Sequence, residues 1–336
     1  MPRKNIVIDT EFHHIPWVAA MKAKDLPDGD LKFKRIVSNP DAAYGKVFNI
    51  ETCIRHMDEC GLDMAAVGLA TWDAASMEVC RTINDELSGY MDRYPGRFIP
   101  LAHIPYLDGQ SAIDELDRAI NDLGLKGVTL LTSLRGARLD DKQLRPLFKK
   151  IEKLQVPVVV HPTVKIPIWG GDRYYMSGSV SREYDIIKAF VEVLCGVLPE
   201  YPELTFIFSH YGGGAPFLLG RIMSFYLPEN TDIPKELIAK PKTYRQFEKF
   251  GLKKRFNKLL DRVYFNIAGT GGWMPAFKQA LLAIRPERLC FGSDYPWEMS
   301  TPSDLKAYLA SIKRSNIPKE DKKNILGGNM LRLFKV

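Results

Sequence analysis

Short β-rich apolar runs alternate along this chain with longer stretches whose apolar residues recur at helical spacing, a pattern that predicts repeated βα units. Strands are predicted at 5–9, 64–69, 98–102, 127–131, 156–161, 204–210, 263–266 and 288–294. Most are continuous apolar runs rather than alternations, as in parallel strands buried on both faces. Helices are predicted between them, among them 50–60, 111–123, 140–154, 182–198, 275–284 and 303–315. Asn49, Ser111 and Ser303 stand where a helix N-cap is expected, and Gly61 where a helix should stop. Eight such units closing on themselves predict an α/β fold, a (β/α)8 TIM barrel. An open doubly wound sheet would carry a glycine-rich phosphate turn after the first strand, and none is present. The 336 residues suit one barrel domain, 1–336, interrupted by insertions after strands 1 and 6 at 17–49 and 226–261. Both insertions follow the carboxyl end of a strand, where arms over an active site are expected.

Composition narrows the class. Hydrophobic residues make up 46% and charged residues 26%, the balance of an ordinary globular protein. No apolar run approaches the length of a membrane span, and the first residues lead straight into a strand with no signal-peptide pattern. The five cysteines are odd in number and scattered, as expected of reduced thiols in a cytoplasmic protein. The net charge is +7, but its densest basic stretches, 32–35 and 253–255, are short and far apart. That argues against nucleic acid as a partner and suits attraction of a small anionic substrate.

The chemistry gathers at predicted strand ends. His13, His14, His161 and His210 fall at or just after them, and Asp294 closes the last one. In a barrel these ends converge on one face, so residues distant in sequence meet. Glu11 and His13 are two apart in an extended segment and aim to one side, a carboxylate and an imidazole that suit zinc, manganese or iron. Alone, such a pair is more often a surface feature, and His161 is as readily a satisfied core histidine. Asp294, ending an apolar strand, needs a partner or a metal to offset its desolvation. His210 is followed by Gly212, Gly213 and Gly214, which permit close backbone approach before the next helix.

These segments resemble the amidohydrolase 2 branch of the metal-dependent hydrolase superfamily, the branch of the aminocarboxymuconate-semialdehyde, γ-resorcylate and 5-carboxyvanillate decarboxylases. The opening D-x-[HE]-x-H…P is matched by Asp9, Glu11, His13 and Pro16. The strand-5 histidine and proline are matched by His161 and Pro162, S-H-x-G-G by residues 209–213, and F-G-S-D-[YF]-P by 291–296. The resemblance implies Glu11, His13, His161 and Asp294 as ligands of one divalent metal ion, Zn2+ or Mn2+. It implies His210 as a catalytic histidine and Arg221 as a binder of the substrate carboxylate; a helix-surface salt bridge is the plain alternative for Arg221. Strand 4 ends at Leu131, Thr132 and Ser133 with no bridging lysine or acid, which favours a single metal. Glu11 stands where many relatives have histidine, adding negative charge that suits chelation of a phenolate or carboxylate.

The resulting expectation is a non-oxidative decarboxylase of a hydroxylated aromatic, or related unsaturated, carboxylic acid, with Asp294 or His210 as proton donor. The alternatives are a hydrolase of a lactone or amide, with Asp294 as base, and a hydratase of an unsaturated diacid. A non-enzymatic barrel scaffold is disfavoured because no ligand position is lost. Trp17, Trp169, Trp273 and Trp297 follow strands 1, 5, 7 and 8 and are expected to form an aromatic wall, with Trp297 binding substrate. His14, His56 and His103 are assigned structural roles. Phe33, Phe48, Phe247 and Phe250 in the two insertions, together with the resemblance, imply a homodimer or higher homo-oligomer.

Overall fold

The computed structural model describes residues 5–25, 45–68, 76–163, 173–227, 233–238 and 240–336. Eight parallel strands pair in chain order: β1 (Ile8–Asp9), β2 (Met64–Val67), β3 (Phe98–Ala102), β4 (Gly127–Leu131), β5 (Val158–His161), β6 (Phe206–Phe208), β7 (Val263–Asn266) and β8 (Leu289–Cys290). Beyond β8 the chain returns to β1. The Thr10 N–H donates to the Phe291 carbonyl at 2.9 Å, the His13 N–H to the Tyr295 carbonyl at 2.8 Å, and Phe12 bridges Tyr295. Those contacts bring the first and last strands together and make the sheet a (β/α)8 barrel.

Alternation along each strand sorts its side chains between two cores. Val158 and Val160 pack with the helices, whereas Val159 joins Ile8, Ala66, Ile99, Leu101, Ile207 and Cys290 from other strands. This second cluster is the barrel interior, closed by Met330 and Phe334 from the C-terminal helix Asn329–Phe334. His161 shares the parity of Val159, so it continues the inward row at the carboxyl end of β5.

Helix Ile50–Cys60 has the predicted caps: the Asn49 side chain accepts from the Thr52 N–H at 2.9 Å, and Gly61 takes a left-handed φ of 77°. Two predicted caps shift. Gly109 precedes helix Gln110–Asn121, so Ser111 lies inside it and donates to the Asp108 carbonyl. Thr301 caps helix Pro302–Arg314 through a reciprocal pair with Asp304, which leaves Ser303 within the first turn. The last strand is shorter than predicted because residues after Cys290 leave the ladder to reach across to the first strand.

The first insertion opens as helix Trp17–Asp25 and closes as a 3-10 turn, Gly45–Phe48; residues 26–44, with Phe33, lie outside the described ones. The second carries helices Lys235–Ile238, Tyr244–Lys249 and Leu252–Leu260. Phe48 and Phe247 are buried within the chain itself, Phe247 against Phe256, so neither argues for a subunit interface.

Candidate metal and acid–base site

Glu11, His13, His161 and Asp294 are buried side by side, with one donor atom from each lying within 4.8 Å of the others. Glu11 and His13 follow β1, His161 ends β5, and Asp294 lies beyond β8 on a left-handed φ of 54°. His13 Nε2 is 2.9 Å from Asp294 Oδ1, and His161 Nε2 is 3.6 Å from Glu11 Oε1. The geometry fits one cation. Glu11 Oε1 and both ring nitrogens of His161 are buried without a hydrogen-bond partner. An orphaned buried polar atom costs about 1–3 kcal/mol, and a shared cation would satisfy Glu11 Oε1 together with one of the His161 nitrogens. Two imidazoles and two carboxylates suit zinc or manganese.

His210 stands beside this group. Its Nε2 is 3.2 Å from Glu11 Oε1 and 3.8 Å from Asp294 Oδ2, while its Nδ1 is 2.8 Å from Glu183 Oε1. The backbone explains the placement. From His210 to Gly214 every φ is positive, a left-handed turn that only then becomes the right-handed helix reaching Phe225. Glycine is needed at 213 for space as well, since a Cβ there would come within 2.1 Å of the Glu183 carbonyl. On the other side, a Cβ at Gly269 would meet the His210 ring at 2.3 Å.

Two residues outside the predicted set hold the arrangement. Asn266, ending β7, donates from Nδ2 to Glu11 Oε2 at 2.6 Å and accepts the His210 N–H at 3.0 Å. Asp9 accepts the N–H groups of Glu11 at 2.9 Å and Ser293 at 3.1 Å, as well as the Ser293 hydroxyl. Burial pushes the Asp9 carboxyl up to about 7, against the pull of those hydrogen bonds.

Charge is divided between the imidazoles. Burial alone would push His210 down, but the carboxylates of Glu11 and Glu183 outweigh it and hold the ring well above its ordinary value. His161 goes the other way: burial, with His13 and Arg182 nearby, holds it well below, so one ring nitrogen presents its lone pair. Burial also pushes Glu11 up, yet His210, His13 and the Asn266 amide bring it below the ordinary carboxylate value.

Arg221 is not among the groups brought to the cluster. It is exposed on the helix after His210, with its guanidinium 5.1 Å above the Phe225 ring. The expected aromatic wall is also reduced. Trp297 is half-buried with its ring 6.0 Å from His13, but Trp273 is 65% exposed and Trp17 packs edge-on against Phe48. Trp169 lies outside the described residues. His14 turns away from the cluster to the Tyr90 hydroxyl at 2.9 Å, and His56 bonds the Tyr295 hydroxyl at 2.9 Å. His103 is buried, its backbone N–H held by Asn84 Oδ1 at 2.8 Å. Among the described residues, no helix is long and apolar enough to cross a membrane.

Comparison with known proteins shows the family and the fold. The sequence profile of the amidohydrolase family matches residues 8–336. The chain is 28% identical to a 2-amino-3-carboxymuconate-6-semialdehyde decarboxylase of Dictyostelium discoideum, over 77% of this chain and 67% of that one. It is 27% identical to a γ-resorcylate decarboxylase of a Rhizobium species, over 78% and 77% of the two chains. The 5-carboxyvanillate decarboxylase of Sphingomonas paucimobilis superposes with a TM-score of 0.77 at 20% identity, covering 99% of this chain and all of that one. A dihydroxybenzoic acid decarboxylase from a Polaromonas species, solved with manganese and 2-nitroresorcinol, gives 0.72 at 23% identity over 99% and 97% of the chains.

Proposed function

This chain belongs to the amidohydrolase family, and from that premise we propose that it is a metal-dependent, non-oxidative decarboxylase of a hydroxylated aromatic, or related unsaturated, carboxylic acid. The observation that carries the reading is a buried Glu–His–His–Asp cluster with His210 held against it between two carboxylates. The decarboxylases among the chain's relatives support the reaction class.

Glu11, His13, His161 and Asp294 would hold one zinc or manganese ion, which when bound stabilises negative charge on the substrate oxygen. The proton is the protein's contribution. His210 keeps Nδ1 on Glu183 and turns Nε2 toward the cluster, so the ring is oriented and charged by groups that do not themselves react. It is placed to protonate the carbon that bears the carboxylate. Cleavage of the bond to the carboxylate then returns its electron pair to the ring and releases CO2. Solvent returns a proton to His210. Asp294, engaged with His13, keeps its position rather than shuttling the proton. The buried surroundings exclude bulk water, which strengthens each of these charge interactions.

The test is CO2 release by metal-loaded protein from a panel of hydroxybenzoates and muconate-like acids, with the reaction repeated in deuterated water. The expected product carries deuterium at the carbon that lost CO2, and the active protein carries about one metal ion per chain. Turnover of a lactone or amide with no CO2 from any acid would overturn the assignment and recast Asp294 as a base.

A further inference from the structure

A carboxylate substrate needs a cation beside the cluster, and Arg221 is turned to solvent. The described residues offer another. Helix Arg182–Glu192 begins over the carboxyl end of the barrel and is fastened there at three points. Glu183 Oε1 holds His210 Nδ1 at 2.8 Å. The Glu183 carbonyl occupies the space that the missing Cβ of Gly213 leaves. Asp185, buried, accepts from the Thr132 hydroxyl just past β4, and Thr132 in turn bonds Thr163 just past β5. Arg182 therefore starts from a fixed position. Its Nε is buried with no hydrogen-bond partner, and among the described residues it makes no ion pair. Lys188, farther along the same helix, is already engaged with Glu192 at 2.9 Å and Asp185 at 3.8 Å.

We infer that Arg182 binds the carboxylate of the substrate, presenting Nε and a terminal nitrogen as a two-pronged donor at the edge of the metal cluster. Only the nature of the ligand rests on the decarboxylase reading. A buried guanidinium nitrogen without a partner is costly to desolvate, and an arriving carboxylate removes that cost in the planar geometry arginine matches best. The same contact favours product release. Once the carboxylate departs as neutral CO2, the phenolic product no longer offers Arg182 a charged, two-oxygen acceptor.

The experiment is calorimetric titration of the manganese-loaded full chain with 2,6-dihydroxybenzoate and with resorcinol, its decarboxylated counterpart. R182Q is expected to weaken acid binding at least about tenfold, the usual scale for losing a charge-assisted pair, while resorcinol affinity and metal content stay at the wild-type level. R182K, which keeps charge but loses the fork, should fall between. Equal losses for acid and phenol would make Arg182 structural and overturn the inference. So would unchanged acid binding in R182Q, a loss appearing in R221Q instead, or a wild type with no affinity for the acid. CO2 is followed in the same samples. Acid binding that depends on Arg182, with no CO2 from any acid of the panel, would refute the decarboxylase reading and leave this inference standing.

Discussion

Replacing Asn266 with aspartate isolates one hydrogen bond in the site. The substitution keeps the shape and the oxygen that accepts the His210 N–H at 3.0 Å. It replaces the amide that donates to Glu11 Oε2 at 2.6 Å with a second carboxylate oxygen. Two buried carboxylates at that distance cannot both ionise, so the pair must take up one proton that the unfolded chain, with ordinary carboxyl values near 4, does not hold at pH 8. The cost therefore has a ceiling of roughly four pH units, or about 5 kcal/mol, at pH 8. It shrinks by about 1.4 kcal/mol for each unit the pH falls toward 4, because the folded state binds the extra proton. At low pH the introduced carboxyl, once protonated, can donate to Glu11 and restore the lost bond. The assay is urea unfolding of wild type and N266D with a chelator present, at pH 8 and pH 6. N266D is expected to recover about 2–3 kcal/mol relative to wild type over that interval. A difference between the two proteins that is the same at both pH values would refute the reasoning, since no proton would then be shared.

H161A is expected to lose the metal, with bound ion falling well below one per chain by elemental analysis, because it removes a nitrogen buried without any other partner. H210N is expected to keep the metal and to lose about 100- to 10,000-fold in turnover; wild-type turnover in that variant would remove His210 from the chemistry. His103 gives a pH signature unconnected with catalysis. Burial holds it down to about 4, against 6.5 when exposed, so the unfolded chain binds the extra proton as pH falls between those values. Stability drops through that window by about 3 kcal/mol, and H103N should flatten the acid limb in urea titrations at pH 7 and pH 4.5.

The barrel was legible because period and length disagree between strands and helices: Val158, Val159 and Val160, a short β-branched run, read as a buried strand of a few residues. Strand-end reasoning likewise located His161, Asp294 and the Glu11–His13 pair. Applied evenly, it reaches Asn266 too, a polar residue closing Val263-Tyr-Phe265. An amide neither titrates nor ranks as a metal ligand, so nothing in the sequence marks it as part of the site. Helix Met77–Arg93 presents Val79, Ile83, Leu87 and Tyr90 at helical spacing, a signal open to sequence reading although absent from the helices predicted. Glu183 and Arg182 carry no such mark. Their approach depends on how closely one helix start docks on another loop, and that distance is set by the missing Cβ of Gly213. Arg221 shows the converse: a motif fixes a residue's place in the chain but not the direction of its side chain.

The seam that closes the barrel also bears on biosynthesis. Glu11 and His13 leave the ribosome well before Asp294, which meets His13 across 281 positions. A nascent chain that stops short of the last strand can gather at most three of the four cluster groups, and it lacks the Ser293 contacts that Asp9 uses to draw the seam together. Completion of the cluster is thus deferred until the last strand has been made. A circular permutant reopened between β2 and β3, with the original ends joined, would make the seam a local contact and bring all four cluster groups out before the barrel is finished.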